Sequence, residues 1–188
     1  FMGTWDQVIC NALRWEYKAD IALSAGVRWG TTTLEGDWIT MEDVMNQCAT
    51  TYSETYVQDM TGKAIKDMLE GVADNLFDPD PYLQSGGDMV RVGGLDYTID
   101  PTKPLGSRIS EVRLDNGEVI EDDKNYSVSG WATVNRTPEG RLLWDIIADY
   151  LRSERDGNMV INLPKVNNPK VVGVSDNPGF ADYPGEWA

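Results

Sequence analysis

The stretch Gly86-Gly87-Asp88-Met89-Val90-Arg91-Val92-Gly93-Gly94-Leu95 decides how this chain is read. Glycine pairs permit positive φ and close backbone approach, so each pair marks a place where the chain turns. Between them, Met89, Val90 and Val92 predict a brief buried strand. Arg91 then projects from a rigid element that opens into loops at both ends. A guanidinium held this way suits an oxyanion such as phosphate, sulfate or carboxylate. The pattern also fits a structural strand whose arginine pairs with one of the many acids.

Upstream, Asp20 to Ser24 predicts a second short strand, Ile21-Ala22-Leu23, which feeds the loop Ser24-Ala25-Gly26-Val27-Arg28-Trp29-Gly30. Here again glycines bracket an arginine, now beside a tryptophan. Strand ends that break into glycine loops are where α/β sheets place ligand groups. A surface ion pair for Arg28 and a core position for Trp29 are the alternatives. Before this strand, Trp5, Val8, Ile9, Ala12 and Leu13 recur at helical spacing, so Thr4 caps a helix that runs to Lys18. After it, Thr40 and Asp43 form a capping box for a helix through Ala49. Tyr52 to Met60 alternates as a strand, and Thr61-Gly62 opens a helix from Lys63 to Phe77 with a clear apolar stripe. The prolines of Asp78-Pro79-Asp80-Pro81 stop it.

Downstream, Leu95 to Asp100 and Arg108 to Leu114 alternate, and Asn116-Gly117 before Val119-Ile120 is a strong hairpin signal. Tyr126 to Ala132 predicts another strand, ending in a loop from Thr133 to Glu139 where Asn135 and Arg136 could reach a ligand. A last helix spans Gly140 to Arg152. Beyond Ser153 the prolines Pro164, Pro169, Pro178 and Pro184 break the chain repeatedly, leaving one strand at Lys170 to Val174. The expected fold is α+β, with helices packed on a mostly antiparallel mixed sheet. The expected organisation is a domain over 1–155 and a Pro/Gly-rich tail over 156–188 that wraps it.

Composition narrows the function. The 188 residues are 41% hydrophobic with seven tryptophans, enough for a real core. A net charge of −15 argues against nucleic acid and against an anionic membrane surface. The chain has no histidine, so it holds neither a Ser-His-Asp triad nor a histidine-bearing metal centre. No stretch matches the Asp-x-Asp-x-Asp-Gly calcium loop. Cys10 and Cys48 fall on apolar helix positions and read as buried free thiols. No run is long and apolar enough to span a membrane, and no signal peptide is visible. Phe1 has no initiator methionine ahead of it, which points to a piece of a longer protein.

In order, the segments Ile21-Ala22-Leu23-Ser24-Ala25-Gly26-Val27-Arg28, Thr40-Met41-Glu42-Asp43-Val44, Met60-Thr61-Gly62-Lys63 and Arg91-Val92-Gly93-Gly94-Leu95-Asp96-Tyr97-Thr98-Ile99-Asp100 resemble the C-terminal domain of the 5′-nucleotidase family. Within it, Ala73 to Tyr82 running into Gly86 to Leu95, together with Ser129-Gly130-Trp131-Ala132-Thr133-Val134-Asn135, is similar to the SoxB-type thiosulfohydrolases. The resemblance implies a division of labour. An N-terminal metallophosphoesterase domain of the parent would carry two manganese ions and the catalytic residues. This domain would form the substrate-recognition wall and be inactive alone. The parent would act in the periplasm, releasing sulfate from a cysteine S-thiosulfonate on the arm of a SoxYZ-type carrier protein. Arg28 and Arg91 would hold the terminal oxyanion or the arm backbone, with Asp88 beside Arg91. Trp29, Tyr82 and Trp131 would line the channel, and Asn135 would orient a peptide carbonyl. Nucleotidases differ in carrying paired phenylalanines around the base and a later Gly-Gly-Asp-Gly-Phe/Tyr segment. This chain has only Phe1, Phe77 and Phe180 and lacks that segment. A nucleotide hydrolase is the alternative enzyme. A free-standing acidic binding module is the alternative from another class, which the parent reading frame tests.

Overall fold

A computed structural model describes residues 1–26, 31–48, 50–133, 140–155, 157, 159–162 and 164–174. The run Ile21–Ser24 becomes strand β1, preceded by helix α1 (Thr4–Tyr17) and followed by α2 (Met41–Asn46), β2 (Tyr56–Thr61) and α3 (Gly62–Phe77). Next come β3 (Arg91–Gly93), β4 (Leu95–Ile99), β5 (Ile109–Leu114) and β6 (Asn125–Gly130). Helix α4 (Leu143–Glu154) and the two-residue β7 (Lys170–Val171) complete the described elements.

The strands form two sheets rather than one. The first has the order β2-β6-β1-β3, the second β5-β4-β7. Strand β1 runs parallel to β6 and antiparallel to β3, while β4 runs antiparallel to β5 and parallel to β7. Gly94 makes the division. It sits between β3 and β4 at φ 77°, and a Cβ there would lie 2.3 Å from the Asp20 carbonyl oxygen. Gly93 serves a different need, because a Cβ there would meet that of Cys10 at 2.5 Å and hold α1 off the sheet.

Strand β1 is buried on both faces, which explains its unbroken apolar run. Ile21 and Leu23 join a core with Ile65 and Leu69 of α3, Val92, and Leu95, Tyr97 and Ile99 of β4. Ala22 faces the opposite core, built from Ile9, Cys10 and Leu13 of α1, Ile146 and Ile147 of α4, and Trp131.

The capping box at Thr40 and Asp43 forms as expected, with Asp43 N donating to Thr40 Oγ1 and Thr40 N to the Asp43 carboxylate. Thr61 caps α3 through Ala64 N. The hairpin at Asn116-Gly117 also forms, with Gly117 at φ 87° and Leu114 N donating to the Glu118 carbonyl. Other boundaries move. Helix α1 is capped at Gly3, whose N–H donates to the Asp6 carboxylate at 2.8 Å, and not by Thr4. Helix α2 stops at Asn46, so Cys48 lies in the turn beyond it, although both cysteines are buried free thiols. Strand β2 and helix α4 start later than expected because residues 53–55 and 140–143 bond each other. Gly140 N donates to the Thr55 carbonyl and Leu143 N to that of Ser53. The strand expected over Lys170 to Val174 shortens to β7.

The described tail residues are tied into the domain. Asn167 is buried, and its N donates to Gln7 Oε1 at 2.7 Å. Its Nδ2 donates to Asp96 at 3.1 Å and to Asp115 at 2.7 Å. One side chain from beyond α4 thereby joins α1, β4 and the β5 hairpin.

Candidate functional site

The first sheet gathers the candidate residues at one end. Ser24, the last residue of β1, pairs with Arg91, the first of β3. Leu23 pairs with Gly130, the last residue of β6, and Gly130 pairs with Tyr56, the first of β2. The loops carrying Arg28 and Asn135 therefore both leave the sheet from this end. Arg28, Trp29 and Asn135 themselves lie outside the described residues. Gly130 is small for a reason, since a Cβ there would lie 2.4 Å from the Tyr56 hydroxyl.

Arg91 is drawn inward. Its side chain is 11% exposed. Nε faces the Asp6 carboxylate at 3.2 Å, Nη1 donates to the Met89 carbonyl at 2.8 Å, and Nη2 lies 3.7 Å from Asp88. Asp88 in turn abuts the β1 loop, because a Cβ on Gly26 would meet its carboxylate at 2.6 Å. Asp6, Arg91, Asp88 and Gly26 thus form a chain of contacts from α1 to the root of the Arg28 loop. In this arrangement Arg91 has the paired setting that the sequence allowed beside the oxyanion anchor, and Asp88 sits against the root of the segment that leads to Arg28.

Trp131 also turns inward. It is 5% exposed, packed in the α1–α4 core, and its indole N–H donates to Ser24 Oγ at 2.7 Å. The ring fixes the end of β1 to the end of β6 and packs in the core rather than presenting an open face. Tyr82 has the opposite setting. It is 96% exposed, on the turn after α3 where its N–H donates to Asp80 Oδ1. Among the described candidates it is the one that offers a full aromatic face.

Sequence reasoning missed Tyr52. The chain there is a turn, not a strand, and the side chain is 47% exposed. Its carbonyl accepts from Ala132 N at 3.3 Å, placing it directly beside the exit of the 134–139 loop. The signal was available: an aromatic in the polar run Thr50-Thr51-Tyr52-Ser53 has no alternating apolar partner. Asp6 was missed as well, and it is the group that holds Arg91.

Burial makes both thiols inert. It pushes the Cys10 thiol well above its ordinary range, with nearby Asp6 adding to the effect, and the Cys48 thiol up to about 12. Among the described residues, no three Cys, Asp or Glu side chains are placed to share a metal ion, and the chain has no histidine. These residues do not fit a dinuclear manganese centre.

The model of the 5′-nucleotidase, C-terminal domain family matches residues 3–140. The chain belongs to this family. In its members the domain accompanies an N-terminal metallophosphoesterase domain. The sulfate thiohydrolase SoxB of Thermus thermophilus, solved with glycerol, superposes with a TM-score of 0.79 at 34% identity, over 92% of this chain and 32% of that one. A 5′-nucleotidase precursor, also from Thermus thermophilus, shares the fold at a TM-score of 0.67 and 19% identity, over 90% of this chain and 35% of that one. The trifunctional nucleotide phosphoesterase YfkN of Bacillus subtilis is 33% identical over 114 residues, 58% of this chain and 7% of that protein. The chain therefore spans about a third of the solved relatives and a small part of the curated one.

Proposed function

We propose that this domain is the substrate-recognition wall of a metal-dependent hydrolase whose parent releases sulfate from a carrier-bound cysteine S-thiosulfonate. The observation that carries the reading is the 34% identity to a sulfate thiohydrolase over 92% of the chain. The solved 5′-nucleotidase from the same species reaches 19% over a similar span. In this reading the metallophosphoesterase domain of the parent supplies two manganese ions and the hydrolytic chemistry, and a SoxYZ-type arm delivers the substrate in the periplasm.

The residues here bind and exclude water. The braced end of the first sheet is the root from which the segments carrying Arg28, Trp29 and Asn135 leave. Tyr52 and Tyr82 give the wall exposed aromatic faces suited to a thin glycine-rich arm. A nucleotide substrate is the second reading, favoured by the 33% identity to YfkN. The full-length parent, given AMP and a thiosulfonate-loaded cysteine peptide side by side, separates them. Sulfate release from the peptide without phosphate release from AMP supports the proposal, and the reverse pattern overturns it.

A further inference from the structure

Residues 31–42 form an arm that its own domain hardly covers. All are exposed except Thr33, which is half-buried. The arm is nonetheless built. Asp37 N donates to the Leu34 carbonyl and Leu34 N to the Asp37 carboxylate, both at 3.1 Å. Gln47 Nε2 anchors its start by donating to Thr31 Oγ1 at 2.9 Å. The arm runs into α2, whose Val44 is buried against the domain. Met41 and Met45, one turn apart, are exposed. With Leu34, Trp38 and Ile39 they put five exposed apolar side chains into the run 34–45, and Trp38 is 76% exposed. A polar turn needs none of these residues. Exposed apolar side chains gathered in one segment among polar ones mark an interaction site, and the polar residues between them here are acidic, Glu35, Asp37 and Glu42.

We infer that this run seats the metallophosphoesterase domain of the same parent. The chain covers only 32% and 35% of two solved relatives, so in proteins of this kind a larger body of chain is tethered to this domain. A tether supplies a high effective concentration, so a small apolar patch suffices. The complementary face carries an apolar centre with a Lys/Arg rim to match the acids. The arm starts at Thr31, the first described residue after the Arg28 loop. The inference rests on the two-domain parent of the proposed function and not on which substrate it takes.

The test replaces Trp38 by the photo-crosslinker p-benzoylphenylalanine in the full-length parent, with the exposed hairpin residue Val119 as control position. After irradiation, adducts are mapped by mass spectrometry. The expected result is adducts from position 38 to metallophosphoesterase-domain peptides, in a yield independent of protein concentration, and none from position 119. Adducts to a second copy, rising with concentration, overturn the inference, as do adducts to a separate protein or no adducts. A second variant, Trp38→Ser with Met45→Ser, is expected to speed proteolysis between the domains at least tenfold; an unchanged rate also overturns it. Hydrolysis of AMP by a parent that still gives the intramolecular adducts would sink the thiosulfonate reading alone.

Discussion

Replacing Arg91 tests whether it braces the fold or binds the ligand. In Arg91→Met the stem keeps its packing while the charge and its hydrogen bonds are lost. Asp6, 6% exposed, keeps the Gly3 N–H but loses the guanidinium at 3.2 Å. Removing one partner of a buried ion pair costs about 3–5 kcal/mol. Both side chains retain a little exposure, which places this pair at the lower end, near about 3 kcal/mol. For a domain of this size each kcal/mol moves the melting temperature by about 2–4 °C, so the shift is about 6–12 °C.

The assay is thermal unfolding of the chain with a double-mutant cycle. Asp6→Asn combined with Arg91→Met removes both charges, so its cost falls short of the summed singles by about 2 kcal/mol. Turnover by the full-length parent is read alongside. A shift below about 2 °C for Arg91→Met, with additive mutants and a KM raised tenfold or more, would refute the bracing role and restore the arginine to the ligand.

Gly94→Ala carries the left-handed cost of about 1–2 kcal/mol and overpacking of about 1–3 kcal/mol against the Asp20 carbonyl. Gly86→Ala, with nothing within 4 Å, carries only the first; equal urea midpoints for the two would refute the hinge. Asn167→Ala removes side-chain bonds to buried Gln7, half-buried Asp96 and exposed Asp115 and is expected to cost about 1–3 kcal/mol, mostly through Gln7, read as a lower urea midpoint. A neutral result would show that the tail is a loose wrap. Cys10 and Cys48 are expected to resist a thiol reagent at pH 8 in the native chain and both to react in urea; fast native labelling contradicts their burial. Hydrogen bonds from Thr40, Thr98 and Thr102, and the ion pairs to Lys66 and Arg141, hold Asp43, Glu111, Asp100, Asp122 and Asp149 below the ordinary carboxylate range. Their stabilisation is present above the unfolded values near pH 4 and is lost as pH falls through the folded ones. The urea midpoint therefore drops as pH falls below about 4, and a flat profile would contradict these contacts.

Local signals were legible where their partners lie close in sequence. Thr40 and Asp43 are three residues apart, Thr61 caps its own helix, and the Asn116-Gly117 turn joins neighbouring segments. The α3 stripe follows from the helical period alone. Arg91 was ambiguous because its partner Asp6 is 85 residues away, and no local pattern distinguishes a braced guanidinium from a free one. Asn167 meets Gln7 across 160 residues, so a segment rich in prolines reads as loose when one of its side chains is fully enclosed. Alternation predicted the strands but not the split into two sheets. That split turns on Gly94 having a carbonyl where its Cβ would stand, which is a tertiary fact.

The braced sheet end is the part of this domain that internal packing holds fixed. Trp131 pinned to Ser24, Tyr56 laid across Gly130, and Asp6 holding Arg91 fix the strand ends through contacts within the domain. What faces outward among the described residues is Tyr52 in its turn and Tyr82 beyond α3. Loops can change without cost to the core while the strands beneath them cannot. A solved nucleotidase that keeps the fold at 19% identity and a TM-score of 0.67 agrees with that separation. Specificity in this domain is therefore expected to follow the loop residues, while substitutions in the brace should act through stability, whatever the substrate.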